Sequence, residues 1–132
     1  MRGKGQKNRI ILVPGRIIWP HEMRVAQILS MAGHRVEFLS EGNLPTPDIK
    51  LDGIEYEIKS PESSNVNTLK HMIKKATYQS PNLIIDASRL KGMTEKNFMR
   101  FLVAEIKAIK QIKRMILITK SGKIIDIFSL IW

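Results

Sequence analysis

The chain has 132 residues, is 43% hydrophobic and contains no cysteine, which suits one core-bearing domain and excludes disulfides and thiolate metal sites. Twenty-two Lys and Arg stand against 12 Asp and Glu, a net charge of +10 that draws the chain to polyanions, nucleic acid first among them. No apolar run approaches the roughly 20 residues needed to cross a bilayer, so no membrane association is expected.

The opening "MRGKGQKN" (1–8) reads as a basic, flexible segment, and the domain proper is expected over 9–132. No apolar core or small-residue cleavage site follows it, so no secretory leader is expected. "RIILV" suggests a short strand stopped by Pro14-Gly15, and a helix follows Pro20 to about Ala32, with Val25, Ile28, Leu29 and Ala32 at helical spacing and Gly33 placed to end it. "HRVEFLS" reads as a strand. "EGNLPTP" then breaks the chain before "PDIKLDGIEYEIKS", two alternating runs around Asp52-Gly53 that predict a tight hairpin.

Beyond the loop "PESSNV", a helix capped by Asn67 or Thr68 places Leu69, Met72, Ile73 and Ala76 on one stripe. "NLIIDAS" is a strand. A longer helix from about Thr94 to Lys110 turns Phe98, Phe101, Leu102 and Ile109 inward, and "RMILITK" and "KIIDIFSLI" are two final strands about Ser121-Gly122. The order amounts to a single α/β domain, a mixed sheet flanked by helices.

The hairpin carries the chemistry. A two-residue turn at Asp52-Gly53 pairs Ile49 with Tyr56, Lys50 with Glu55 and Asp48 with Glu57. Ile49, Leu51, Ile54, Tyr56 and Ile58 then share a core face, while Asp48, Lys50, Glu55, Glu57 and Lys59 share the other. Lys50 opposite Glu55 is an attractive pair, but Asp48 opposite Glu57 is repulsive by a few tenths to about 1 kcal/mol. A divalent cation reverses that sign, because both carboxylates offer it hard oxygen donors. Lys59, two residues beyond Glu57 on the same face, is placed to neutralise charge developing on a phosphate.

These residues resemble a family pattern. Pro47-Asp48 and Glu57-Ile58-Lys59 are similar to the PD-(D/E)xK nuclease signature, whose two acids bind Mg²⁺ or a similar cation and whose lysine is catalytic. The resemblance implies a restriction-endonuclease-like αβββαβ core. More narrowly, the string from "GHRVEFLSEG" through "NLIIDAS" resembles the C-terminal nuclease domains of CdiA-type contact-dependent growth inhibition toxins.

That likeness implies a metal-dependent ribonuclease cleaving tRNA, acting in the cytoplasm and opposed by an acidic immunity protein, with delivery as part of a larger protein as a further possibility. Catalytic residues would be Glu22, Asp48, Glu57 and Lys59. Asp48 and Glu57 would hold the cation, Mg²⁺ first, with Mn²⁺ or Zn²⁺ as alternatives. A DNA endonuclease or junction resolvase is the alternative substrate reading, and a non-catalytic basic nucleic-acid-binding module the alternative class.

Glu22 either completes the site from the first helix or simply favours a helix N-terminus through the macrodipole. Lys74 and Lys75 are substrate phosphate contacts, a relocated catalytic lysine, or a solvated face. Gln79 reaches the site or caps its helix. Asp86 is a further acid or the organiser of the turn after its strand. His21, His34 and His71 share no metal-ligand spacing. Trp19, Tyr56, Tyr78 and Trp132 are too dispersed for a base-stacking platform of the RRM kind.

Overall fold

A computed structural model describes residues 9–42 and 45–131. The basic segment expected over 1–8 lies outside the described residues, as do Asn43, Leu44 and Trp132. The elements run β1 (Ile10–Ile11), α1 (Pro20–Met31), β2 (Val36–Phe38), β3 (Ile49–Leu51), β4 (Ile54–Lys59), α2 (Val66–Ala76), β5 (Asn82–Asp86), α3 (Glu95–Ala108), β6 (Arg114–Ile118) and β7 (Ile124–Asp126), closing in a 3-10 turn over Ile127–Leu130.

The seven strands form one mixed sheet in chain order. β1 and β2 are parallel, β2, β3 and β4 antiparallel, β4, β5 and β6 parallel, and β7 returns antiparallel to β6. Each parallel step is bridged by a helix, as parallel neighbours require a crossover.

Local chemistry fixes the ends of these elements. Pro20 at the first helical position is preorganised for α1, and the Glu22 side chain accepts from the Trp19 backbone N–H at 3.0 Å, satisfying a donor that no helical carbonyl reaches. α2 is capped by Asn65, whose side-chain oxygen accepts from Thr68 N at 3.0 Å. The cap expected at Asn67 or Thr68 therefore lies two to three residues earlier, because only Asn65 keeps extended backbone while facing the free N–H groups. α3 begins at the Thr94 cap, which accepts from Asn97 N at 3.1 Å.

The last strand ends sooner than its alternation suggests. Asp126 accepts from Phe128 N at 3.0 Å, and Ser129 Oγ donates to the Asp126 carbonyl at 2.6 Å. Those short-range bonds outcompete ladder pairing and turn the chain into the 3-10 segment.

Two apolar layers cover the sheet. On one face, Val25, Ala26 and Leu29 of α1 pack over Val36, Phe38, Ile49, Tyr56, Ile58, Ile84 and Ile118. On the other, Leu69, Ile73 and Ala76 of α2 and Phe98 and Leu102 of α3 cover Leu83, Ile85, Met115 and Leu117. Complete burial of each of the Val, Leu, Ile, Phe and Met side chains among them contributes about 1.5–3 kcal/mol. β5 is buried at every residue, as a central parallel strand covered on both faces must be. Among the described residues, no helix is long and apolar enough to cross a membrane.

Candidate metal and phosphate site

The hairpin has the register read from the sequence. Ile49 pairs with Tyr56, Lys50 with Glu55 and Leu51 with Ile54. Asp52 and Gly53 both take positive φ, 50° and 86°, the two-residue geometry whose twist matches that of the strands it joins. The turn is tied to β2, since Asp52 Oδ1 accepts from Arg35 N at 2.8 Å and Asp52 Oδ2 contacts His34 Nδ1 at 2.7 Å.

At the open end of the hairpin the backbone of Asp48 donates to the Tyr56 carbonyl at 3.0 Å, and its Oδ2 accepts from Ile58 N at 2.8 Å. These bonds hold the Asp48 carboxyl beside Glu57. Glu57 is only 3% exposed, so the polar face of the hairpin is covered here rather than solvated. The reason is topological: β4 pairs with β5 as well as β3, and Glu57 sits level with Leu83 of the second apolar layer.

Two acids side by side under cover resist ionisation together. Burial pushes Glu57 up to about 8, with the Asp48 charge adding to the rise and Lys59 opposing it. Asp48 is also raised, first by burial, while the Ile58 N–H works against the rise. Glu57 Oε2 contacts Lys59 Nζ at 3.2 Å, and buried Oε1 has no hydrogen-bond partner. The Lys59 side chain remains 32% exposed and is open to an incoming anion.

Arg16, which the sequence reading passed over, completes the constellation. Its guanidinium is almost fully buried and lies 3.3 Å from both Glu22 Oε2 and Asp48 Oδ1, stacked 5.1 Å from the centroid of Phe38. It also donates to the Ile17 carbonyl at 3.3 Å. Glu22 is thus brought next to Asp48, but both its oxygens are engaged, by Arg16 and by the Trp19 backbone. Nothing in the irregular segment between Pro14 and Trp19 marks Arg16 by periodicity, and only its charge beside two candidate acids could have flagged it.

The remaining candidates divide. Gln79 borders a cleft of about 150 Å³ that Asp48, Thr46 and Pro47 also line, so it flanks the acids. Lys74 and Lys75 are exposed in the last turn of α2. Lys74 borders another cavity, with Tyr78, Ile109 and Gln111, in which none of Asp48, Glu57 and Lys59 takes part.

Asp86 organises rather than ligates. It is fully buried and accepts from Arg24 Nη1, Ser60 Oγ and Ser88 Oγ, each at 2.8 Å, and from Ser88 N at 3.1 Å. Arg24 in turn donates to the carbonyls of Thr119 and Lys120, at 3.1 and 3.0 Å, fastening α1 to the far side of the sheet.

Among the described residues no group of three or more His, Asp and Glu side chains is arranged to hold an ion. The carboxyl pair still fits one. Its donors are all hard oxygen, the buried Glu57 Oε1 lacks a donor, and Lys59 and Arg16 reach the two carboxyls only from the flanks. Such a cation would be held by Asp48 and Glu57, with Arg16 keeping Glu22 out of the first set of ligands.

The comparisons with known proteins agree with this architecture. No curated protein matches the sequence. A solved structure described as the CdiA-CT/CdiI toxin and immunity complex from Burkholderia pseudomallei contains a chain similar to this one. The TM-score is 0.64 at 20% identity, over 89% of this chain and 97% of that one. That likeness is one of fold. Residues 45–124, which hold the hairpin, α2, β5, α3 and β6, match the family described as contact-dependent growth inhibition CdiA C-terminal domain. With three-fifths of its length matched, including both hairpin acids and the lysine, the chain belongs to the CdiA C-terminal toxin domain family.

Proposed function

We propose that this toxin domain is a metal-dependent ribonuclease with a restriction-endonuclease-like core, and that its substrate is tRNA. The observation that carries the reading is the buried Glu57 beside the partly buried Asp48, with the Lys59 ammonium 3.2 Å from Glu57. A stability-driven fold has no use for two covered acids in contact, because desolvation disfavours their charge and their mutual repulsion adds to it. A site for a cation and a phosphodiester does.

Asp48 and Glu57 would hold the cation, Mg²⁺ by preference for an all-oxygen site. Once bound, it would supply Lewis acidity toward a phosphoryl oxygen and lower the pKa of water for attack. Lys59, partly exposed beside Glu57, places a positive charge where the pentavalent phosphorus gathers negative charge. Arg16 positions Asp48 through its 3.3 Å contact, and Glu22 positions Arg16. Gln79 borders the same cleft as Asp48 and is placed to donate to a substrate oxygen. Lys74 and Lys75 on α2 would meet the phosphate backbone of a substrate as extended as tRNA.

The net charge of +10 supports a polyanionic substrate. It also supports an acidic immunity partner, the solved structure of similar fold being a toxin and immunity complex. The setting we propose is delivery within a larger protein and action in the cytoplasm of the recipient.

Incubation of the protein with total tRNA tests this, with Mg²⁺ or with EDTA, beside the Asp48→Ala, Glu57→Ala and Lys59→Ala proteins. Duplex and branched DNA serve as rival substrates. The expected result is Mg²⁺-dependent tRNA cleavage that falls at least about 100-fold in each variant. Cleavage by Asp48→Ala at the wild-type rate, or full activity in EDTA, would overturn the assignment. Cleavage of DNA alone would overturn the substrate.

A further inference from the structure

The segment leading into α1 exposes three large apolar side chains within eight positions: Leu12 at 58%, Ile17 at 69% and Trp19 at 58%. Single exposed apolar residues are ordinary on a protein surface. This group is set apart by its location, because it brackets Arg16, which contacts both Glu22 and Asp48. The backbone on either side of the tryptophan is also fastened to the site. Trp19 N–H donates to Glu22 Oε1 at 3.0 Å, Arg16 donates to the Ile17 carbonyl at 3.3 Å, and Pro20 starts the helix. A large, exposed indole is thus carried on backbone fastened to Glu22, and it contributes little to the core.

We infer that Trp19 is a substrate-binding residue that stacks on an unpaired nucleobase next to the scissile phosphate. The inference rests on the nuclease reading and extends it to the form of the substrate. Every base offers a π-face, and an exposed aromatic beside a phosphate-seeking site is how single-stranded nucleic acid is gripped without sequence readout. The anchored backbone means little ordering entropy is lost when the base lands. A paired base inside a helix has its faces already covered. The favoured target is therefore a loop, bulge or single-stranded end rather than a duplex stem. One aromatic residue suffices for one base, so the scatter of the other aromatics along the chain is no obstacle.

The test uses the full chain carrying Asp48→Ala, so that RNA is bound without being cut, and Trp132→Phe, so that Trp19 is the sole tryptophan. The probes are a short single-stranded RNA oligonucleotide and the same sequence annealed to its complement. Expected are quenching of Trp19 fluorescence by the single strand, an affinity loss of about 10-fold or more in Trp19→Ala, and a loss within about threefold in Trp19→Phe. Duplex binding is expected to be insensitive to both Trp19 substitutions and to leave Trp19 fluorescence unquenched. Equal binding of the single strand by the Trp19→Ala and Trp19 proteins overturns the inference. Cleavage of tRNA by the protein with Asp48 intact is scored separately. If cleavage persists while Trp19→Ala binds normally, the stacking role fails and the nuclease reading stands. If neither cleavage nor RNA binding occurs, the nuclease reading fails and the inference falls with it.

Discussion

Replacing Glu57 by Gln removes one of the two covered acids while nearly preserving its shape, and the consequence is a change in how stability responds to pH. Burial and the neighbouring Asp48 raise Glu57 to about 8 in the folded chain from an ordinary 4.5. A carboxyl raised in this way favours the folded state fully at pH below its unfolded value, and that advantage is lost as pH climbs through 8. Without a divalent cation, wild-type stability should therefore fall between about pH 5 and pH 9. The difference in pKa corresponds to a ceiling of roughly 5 kcal/mol. With Lys59 partly exposed alongside and solvent screening the site, we expect about 2 kcal/mol to be realised.

Urea denaturation followed by circular dichroism in EDTA, at half-unit steps of pH, measures this directly. Glu57→Gln should show a flatter profile, and the difference between the two curves removes every titration they share. Adding Mn²⁺ at ten times its dissociation constant should restore about 1.4 kcal/mol to the wild type at pH 9, and little to the variant. Parallel wild-type and Glu57→Gln profiles in EDTA would refute the reasoning, because the acid would then not be held against its ionisation.

Three further outcomes follow from the same geometry. Arg16→Met leaves Glu22 and Asp48 without their shared buried cation and should destabilise the fold by about 3–5 kcal/mol, read from the urea midpoint at pH 7. Asn65→Ala should cost about 1 kcal/mol and Asn67→Ala close to nothing, a comparison that places the cap of α2 by thermal denaturation. RNA binding by the Asp48→Ala protein should weaken linearly on a log–log plot against salt, and Lys74→Ala with Lys75→Ala should flatten that slope by about one to two units if both side chains meet phosphates.

How far the molecule was legible beforehand depended on whether local rules had competition. The hairpin was readable because Asp52-Gly53 demands one turn geometry and alternation then fixes Leu51 with Ile54, Lys50 with Glu55 and Ile49 with Tyr56, while Asp48 lies one residue beyond that ladder and is tied to β4 through Tyr56 and Ile58. The apolar stripe of α2 was readable for the same reason, since Leu69, Ile73 and Ala76 lie on the buried face and Met72 packs against it. The covering of Glu57 was not readable. Alternation assigns a residue to a face but says nothing of what lies over that face, and β5 and its apolar layer decided it. Arg16 escaped because an irregular segment carries no period from which to infer direction. The end of the last strand escaped because Asp126 and Ser129 offered the backbone a local alternative that competes with pairing.

The anchoring of Arg24 has a consequence for how the molecule comes into being. Its partners lie 62 residues onward at Asp86 and 95 and 96 onward at Thr119 and Lys120. The first helix, which also carries Glu22, thus gains its Arg24 anchor only when the penultimate strand exists. Contacts so distant along the chain are made late, since closing a long loop is slow. The hairpin that carries Asp48, Glu57 and Lys59 closes through a local turn, so this distant anchor governs the seating of Glu22 and its helix and not the meeting of the two hairpin acids.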